Sequence, residues 1–557
     1  MARIRIPLNN FERGEVSPAM TSRTDLNVYV QSAEKVRNFF LMAEGGVKRR
    51  PGTEFIHKFT TITVDNAKRL QVKIEPFLFS DDERYIVAFS AGRCDFFRIV
   101  ASTGAISHIQ ALTADTDSTT LPWTVDTIEH QTIAQSADNM FVAHSSHIQM
   151  RIVRTGLTTF EVRKFAFDET TANDEKFQPY FAFQESGVTL TPSGTSGSIT
   201  LTTSADYFES GHVGTIIRYK GNECLVSGFT SATQVNATVR KTLSGTSADT
   251  DFDEQSYSTL RGFPSAVTFH EDRLWFAGTT SQPDGIWSSK TSEFFNFDVG
   301  TAQSNESIQF AISAGEFNSI KHLTSSRDLQ VFTSTSEFFI PSFASSALTP
   351  TNAQIRRQTP FGSASVRPTP FDGATVYVQR GGKTVREFVF SDEESAYVST
   401  PISLLSSHLV IDPTQMTAMR GALARPESYA FFVNSDGTIA VFHSIRNEQK
   451  AGWTLWTTSD TGTTGGFHSM CTIDERLFCV AKRDLGGGTV RFMLEEFLDT
   501  ATLDCSDDFS GSNGVFTTNS IFENNAKVDV VSGNDYLGNF TQGSNQIDVS
   551  DVSTTGT

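Results

Sequence analysis

Nowhere in the 557 residues does an apolar run approach the roughly eighteen that a membrane-spanning helix needs. A bundle of spanning helices is therefore excluded. No signal-peptide pattern follows Met1-Ala2-Arg3-Ile4-Arg5, and the expected product is a soluble protein made in a cytoplasm. Cysteine is sparse as well. Cys94, Cys224, Cys471, Cys479 and Cys505 are scattered, odd in number and contain no C-x-x-C pair, which argues against a disulfide framework and against a zinc site. Cys471 and Cys479 are spaced to face each other across a strand pair, but free thiols are the favoured reading. Charge is low at 19% and one-sided: 45 basic against 63 acidic residues give −18, which opposes general adhesion to nucleic acid because phosphate binding depends on Lys and Arg. The same repulsion suits a channel through which DNA slides without sticking.

The signatures of catalysis are missing too. There is no Gly-x-Ser-x-Gly elbow and no phosphate-binding glycine loop. His270-Glu271-Asp272 lacks the second histidine of a zinc helix, and the 11 histidines do not cluster along the sequence. Asp81-Asp82 and Glu495-Glu496 are adjacent, so on a strand their side chains point to opposite faces and form no glycosidase dyad. Ser281-Gln282-Pro283-Asp284-Gly285-Ile286-Trp287 weakly resembles the Asp-box turn of sialidase propellers, which is itself structural. No catalytic residue, metal ligand or cofactor is expected.

What is present points to β structure. Phe reaches 47, Ser and Thr are abundant, and long Ala/Leu/Glu/Lys stretches of helical period are absent. One helix is predicted: Asp25 caps a segment in which Leu26, Tyr29, Val30, Ala33, Val36 and Phe40 recur at helical spacing, ending near Gly45-Gly46. Beyond it, alternating segments flank turn residues. Arg84 to Phe89 with Cys94 to Val100, Arg273 to Ala277 with Gly285 to Ser288, and Leu329 to Thr333 with Glu337 to Pro341 read as hairpins. So do Thr375 to Gln379 with Thr384 to Phe390, Ser428 to Val433 with Thr438 to Phe442, and Arg476 to Ala481 with Val490 to Glu495 around Gly486-Gly487-Gly488.

Hairpins without βαβ alternation suit sandwiches or a β-propeller, and the propeller is preferred although no strict repeat is visible. The expected fold is all-β: a propeller core, inserted small β-barrel or sandwich domains and one short N-terminal helix. The anticipated division is 1–185 as the N-terminal segment and first part of the propeller, 186–256 as an inserted domain of about five strands, 257–500 as the rest of the propeller, and 501–557 as a small C-terminal β-domain, read as incomplete or completed by other residues.

The N-terminal stretch is the most specific feature. Gly14-Glu15-Val16-Ser17-Pro18, then Arg23-Thr24-Asp25-Leu26, then Gly45-Gly46-Val47-Lys48-Arg49-Arg50-Pro51-Gly52-Thr53 resembles, in order and spacing, the opening of tail nozzle proteins (tail tubular protein B type) of short-tailed bacteriophages. Gly262-Phe263-Pro264-Ser265-Ala266, Gln358-Thr359-Pro360-Phe361-Gly362 and Val378-Gln379-Arg380-Gly381-Gly382 extend the resemblance, which covers about four fifths of the chain. It implies a structural virion protein. Six copies would form a ring below the portal adaptor, enclose the ejection channel, and retain and release genomic DNA without sequence-specific binding. The partners it implies are further copies of the chain, the tail adaptor ring protein, the tail fibre protein and the host outer surface, and the site is the virion tail. The alternatives are a receptor-binding or glycan-degrading tail protein and a propeller enzyme.

Arg13, Arg23, Asp25, Arg49 and Arg50 are the candidate interface residues, because guanidiniums clamp carboxylates in bidentate fashion and the neighbouring glycines free the backbone to approach a partner. They dock either within the subunit or on the adaptor ring; the plainer reading is a hairpin with solvated charges that locks the N-terminal strand to the core. Truncation of residues 1–55 is expected to abolish docking without unfolding the propeller. The run Asp249-Thr250-Asp251-Phe252-Asp253-Glu254 and the 192–198 turn are possible gates, against the ordinary reading of exposed loops.

Overall fold

A computed structural model describes residues 10–550 apart from 21, 24, 173, 314, 343–346, 422–426, 459–464, 486–488, 510, 513, 519–520 and 534. Met1 to Arg5, Thr24, the Gly486-Gly487-Gly488 turn and Thr557 lie outside the described residues. Among the described residues seven four-stranded antiparallel units form the core; the first six are consecutive meanders, the sixth with two added strands, and the seventh joins three late strands to an early one. Blade 1 runs from Lys73–Leu78 to Ile106–Leu112, blade 2 from Thr132–Ser136 to Thr159–Lys164, blade 3 from Ala266–His270 to Gln309–Ala311 and blade 4 from Ile320–Ser325 to Arg356–Thr359. Blade 5 runs from Thr369–Phe371 to Ala396–Pro401 and blade 6 from Gln415–Met419 to Lys450–Trp456. Blade 7 takes Gly466–Ile473, Arg476–Asp484 and Val490–Leu498 from late in the sequence and its outer strand, Gly52–Phe59, from early in it.

The first strands of successive blades lie against one another, Gly466–Ile473 on Lys73–Leu78 and Ala266–His270 on both Thr132–Ser136 and Ile320–Ser325. They are the innermost strands, and the ring closes as a seven-bladed β-propeller. Each seam between blades has its own apolar core, because alternate residues of a strand face opposite neighbours. Ile86 and Ala88 pack toward blade 7 while Tyr85, Val87 and Phe89 pack toward blade 2. Seven flat seams require many broad apolar side chains, and the phenylalanine content answers that need: the Phe96 and Phe160 rings stack at 4.3 Å across the first seam, and Phe165 meets Phe276 edge-on at 5.3 Å across the second. Cys471 and Cys479 fall in different seams, Cys471 opposite Phe478 and Cys479 opposite Met470, so they do not face each other; all five cysteines are buried and free.

The insert begins earlier than anticipated and holds seven strands. Its sheet runs from Tyr180–Phe181 through Phe252–Gln255, Ile216–Tyr219, Asn222–Ser231, Gln234–Val239 and Ser198–Thr203 to Leu190–Pro192. The sheet curls until Leu190 exchanges two backbone hydrogen bonds with Asp249, around a core of Leu201, Ile217, Val226, Val235 and Phe252. The C-terminal module has a three-stranded sheet, Gly511–Ser512, Val515–Thr517 and Gln546–Asp548, beside the hairpin Lys527–Ser532 and Asp535–Thr541.

The predicted N-terminal helix is a single turn, Asn27–Val30, with Leu26 and not Asp25 at its N-cap. Ser32–Ala33 is a strand on Gly14–Glu15, Phe40 lies in the strand Phe39–Leu41, and Asn38 at φ 60° ends any helical continuation. The apolar spacing misled because it does not mark one buried face: Val36 is buried while Val30 is exposed, and the blade 6 strand Lys450–Trp456 supplies backbone partners to Gly14 and Arg37 that outweigh local helical preference.

The N-terminal clasp, candidate interface

Residues 10–59 thread through two blades before the propeller begins. Gly14–Glu15 adds in parallel to the outer edge of blade 6, which thereby becomes six-stranded. Gly14 sits at φ +63°, and a Cβ there would overlap the carbonyl group of Trp453. A Gly14→Ala protein is therefore expected to lose about 1–3 kcal/mol of stability, visible as an earlier thermal unfolding transition; an unchanged transition would show that this edge is not part of the cooperative fold.

Glu15 is buried at 1% exposure. Its carboxylate accepts the Val36 N–H at 2.8 Å and the Arg37 guanidinium, and lies 3.0 Å from His408 Nε2. Its carbonyl accepts the Ser406 hydroxyl at 2.6 Å, and the Ser17 N–H donates to the Leu405 carbonyl. The Gly-Glu-x-Ser-Pro turn is thus the pin that holds the N-terminus to the connection between blades 5 and 6.

The second motif closes the ring. Gly52 lies so near Leu503 that a Cβ would overlap its carbonyl oxygen. Thr53, fully buried, donates its hydroxyl to Glu495 at 2.5 Å and accepts the Cys505 N–H at 2.8 Å. Glu495 in turn takes Arg483 in a bidentate pair at 2.8 and 2.6 Å, and Arg483 also reaches Thr458. Arg50, 8% exposed, donates to Asp504 through two nitrogens at 2.8 and 2.7 Å, to Asn38 Oδ1 at 3.0 Å and to the Thr457 carbonyl at 3.1 Å. Its charge, with that of Arg483, holds the Asp504 carboxyl below the usual range despite burial. Burial acts to lower the Arg483 pKa, but the adjacent negative charge of Glu495 and its hydrogen bonds outweigh that and push it up.

The five candidate interface residues are not brought together. Arg50 is an internal clamp. Arg49 is exposed and donates to the Thr502 carbonyl at 2.8 Å, beside the exposed pair Lys48–Asp499. Arg23 and Asp25 form an exposed pair at 2.9 Å on the loop after Pro18, and Arg13 is half-buried against the Gln31 turn. Surface pairs of this kind contribute little to folding, so Arg23, Asp25 and Arg49 remain available to a partner.

No protein-family model matches the chain, and no curated protein matches it. Among solved structures it is similar to Sqt1 from Chaetomium thermophilum, at 10% identity over 77% of this chain and 97% of that one, with a TM-score of 0.35. It is also similar to the intramolecular trans-sialidase from Ruminococcus gnavus, at 8% identity over 80% and 97% with a TM-score of 0.31, and to the dihydro-heme d1 dehydrogenase NirN, at 8% over 96% and 87% with a TM-score of 0.30. Enzymes are among the similar structures, but at these scores function rests on the residues.

His270 is buried with Nδ1 2.9 Å from Ser325 Oγ and Nε2 2.8 Å from Ser342 Oγ, and burial pushes its pKa down. Among the described residues no three His, Cys, Asp or Glu side chains are placed to hold a metal ion. Glu495 and Glu496 point to opposite faces as anticipated, one to Arg483 and the other to Arg476 at 2.6 Å. In the acidic run of the insert, Asp249 pairs with Lys220, Asp253 with Arg218, and Glu254 with Arg261, so three of its carboxylates are engaged within the insert and at its root.

The truncation expectation fails on this geometry. Residues 10–55 supply strands to blades 6 and 7 and the partners of Glu495, and their removal would open the ring rather than leave a folded propeller. Glu15, Thr53, Asp504 and Arg483 were not singled out in the sequence; Glu15 and Thr53 lay inside the quoted motifs, whereas Asp504 and Arg483 carry no local signal.

Proposed function

We propose that this protein is the nozzle subunit of a short-tailed bacteriophage tail, a structural protein that assembles as a hexamer below the portal adaptor and catalyses no reaction. The observation that carries the reading is the ordered N-terminal signature, whose Gly14, Glu15, Arg50, Gly52 and Thr53 each fill a position that demands that residue type. With Arg50, Gly52 and Thr53 engaged inside the subunit, the exposed members, Arg23, Asp25 and Arg49, are left to meet the adaptor ring or the next copy. The acidic balance of the chain suits a lumen that conducts DNA by repelling phosphates, without sequence-specific binding. The fibre protein and host surface would be met elsewhere on the ring, and the role requires no cofactor.

Native mass spectrometry followed by electron-microscope averages viewed down the axis tests this directly. Six-fold rings with an open centre are expected; a trimer, or a monomer that degrades glycan, would move the chain to the receptor-binding class. In the assembled state, charge reversal by Arg23→Glu with Arg49→Glu should weaken association with purified adaptor rings about tenfold or more while changing folding stability by only about 0.5 kcal/mol. Unaltered association would place the interface elsewhere.

A further inference from the structure

The inner strands of blades 1 to 4 end at Leu78, Ser136, His270 and Ser325, at one end of the propeller axis. The last three line a cavity of about 260 Å³ whose walls include Phe269, Phe294, Glu271 and Asp272. Gln135 lines it too, and its side-chain amide holds the backbone of Leu78, accepting the N–H at 3.0 Å and donating to the carbonyl at 2.7 Å. From Leu78 an apolar surface continues outward. Leu78, Phe79 and Leu157 are 44%, 37% and 45% exposed. The Arg154 guanidinium lies 3.7 Å from the centre of the Phe79 ring and pairs with Glu83 at 2.7 Å, while the Tyr85 hydroxyl, 3.4 Å from Glu83, donates to the Leu157 carbonyl at 3.0 Å. Cavity and apolar surface therefore form one groove across blades 1 to 3.

The groove is acidic. Asp81, Asp82 and Asp272 are exposed, and neither they nor Glu271 has a cation at ion-pair distance among the described residues. Glu271 accepts the Leu348 N–H at 2.7 Å. Of the nearby arginines, Arg154 is taken up by Glu83 and by Asp138 at 2.8 Å, and Arg151 lies on the Phe295 ring at 4.9 Å. Inside the cavity the Phe269 and Phe294 rings meet edge-on at 5.1 Å beside the two carboxylates. Aromatic faces and carboxylates both attract a guanidinium, so the cavity suits an arginine side chain.

We propose that the groove takes residues 1–9 of a neighbouring copy, an inference that rests on the assembly of copies proposed above. Met1-Ala2-Arg3-Ile4-Arg5-Ile6-Pro7-Leu8-Asn9 combines apolar side chains with two arginines, and the first carboxylate of the chain is Glu12. Arg3 enters the cavity, and Ile6 and Leu8 cover the apolar surface. The groove of the same copy is out of reach. The chain leaves Asn10 beside Gly14–Glu15, the fifth strand out from the axis in blade 6. At about 4.8 Å per strand that is about 19 Å outside the inner strand, and crossing the axis to the cavity adds about 10 Å more. The seven residues from Asn10 back to Arg3 span at most about 25 Å.

Cross-linking tests this. The five native cysteines are buried, which leaves engineered surface thiols to react. Full-length Arg3→Cys and Asp272→Cys proteins, mixed and mildly oxidised, should give a disulfide-linked pair of unlike copies, and the double variant a ladder of linked copies. Arg3→Glu with Arg5→Glu should weaken self-association about tenfold or more, and adding Asp82→Lys and Asp272→Lys to that chain should recover it. Absence of the link, a link confined to one chain, or charge reversals without effect would overturn the assignment and give the groove to another partner; where six-fold rings form regardless, the nozzle reading stands. Linked copies without six-fold symmetry would uphold the assignment and overturn that reading.

Discussion

Replacing Glu495 by glutamine should lower the unfolding free energy by about 3–5 kcal/mol, the cost of leaving the Arg483 guanidinium buried without its counter-charge. Glu495 is wholly buried and Arg483 nearly so, and Thr53 binds the same carboxylate from the N-terminal strand. One substitution therefore loosens both the last three-stranded unit and the strand that completes it. The expected readout is a lower denaturant midpoint and faster unfolding, with the outer strand Gly52–Phe59 losing hydrogen-exchange protection first. Arg476→Gln removes a partly exposed guanidinium from the buried Glu496, which water can reach where the arginine lay, and should cost less. Equal effects of the two variants would mean that ring closure does not depend on this cluster.

The second large effect is on pH. His144, His322 and His443 are buried and held neutral, pushed down to about 3, 3 and 4, chiefly by burial. In the unfolded chain each titrates near 6.5. Below that value the unfolded state binds more protons than the folded one, so stability is fully present above pH 6.5 and falls as the pH drops toward 4. At about 1.4 kcal/mol per unit for each group, the three together remove about 6 kcal/mol by pH 5. Urea midpoints measured from pH 8 to pH 5 should decline steadily below 6.5, and His443→Phe should reduce the slope by one proton. A flat profile from 7 to 5 would show that these histidines find water or a partner when charged.

Much of the fold was legible. The pairs Arg273–Ala277 with Gly285–Ser288 and Ser428–Val433 with Ile439–Ile445 stand where alternation and turn residues put them, because a hairpin is a local object whose register its own turn sets. The helix was misread for the converse reason: Ser32–Ala33 pairs with Gly14–Glu15, and Val36 and Asn38 exchange backbone hydrogen bonds with Leu455 of blade 6, more than 400 positions away in sequence, a partner that no local pattern reports.

The candidate site divides in the same way. Sequence alone determined that the chain is all-β and that two glycine-bearing N-terminal motifs are special, since composition, period and turn chemistry act over a few residues. Tertiary structure alone decided the number of blades, the sharing of blade 7 between the two ends of the chain, and the separation of Arg50, a buried clamp on Asp504, from Arg49, its exposed neighbour. Burial of a charge depends on what the far chain brings to it, and Asp504 and Thr457 reach Arg50 only when the ring has closed.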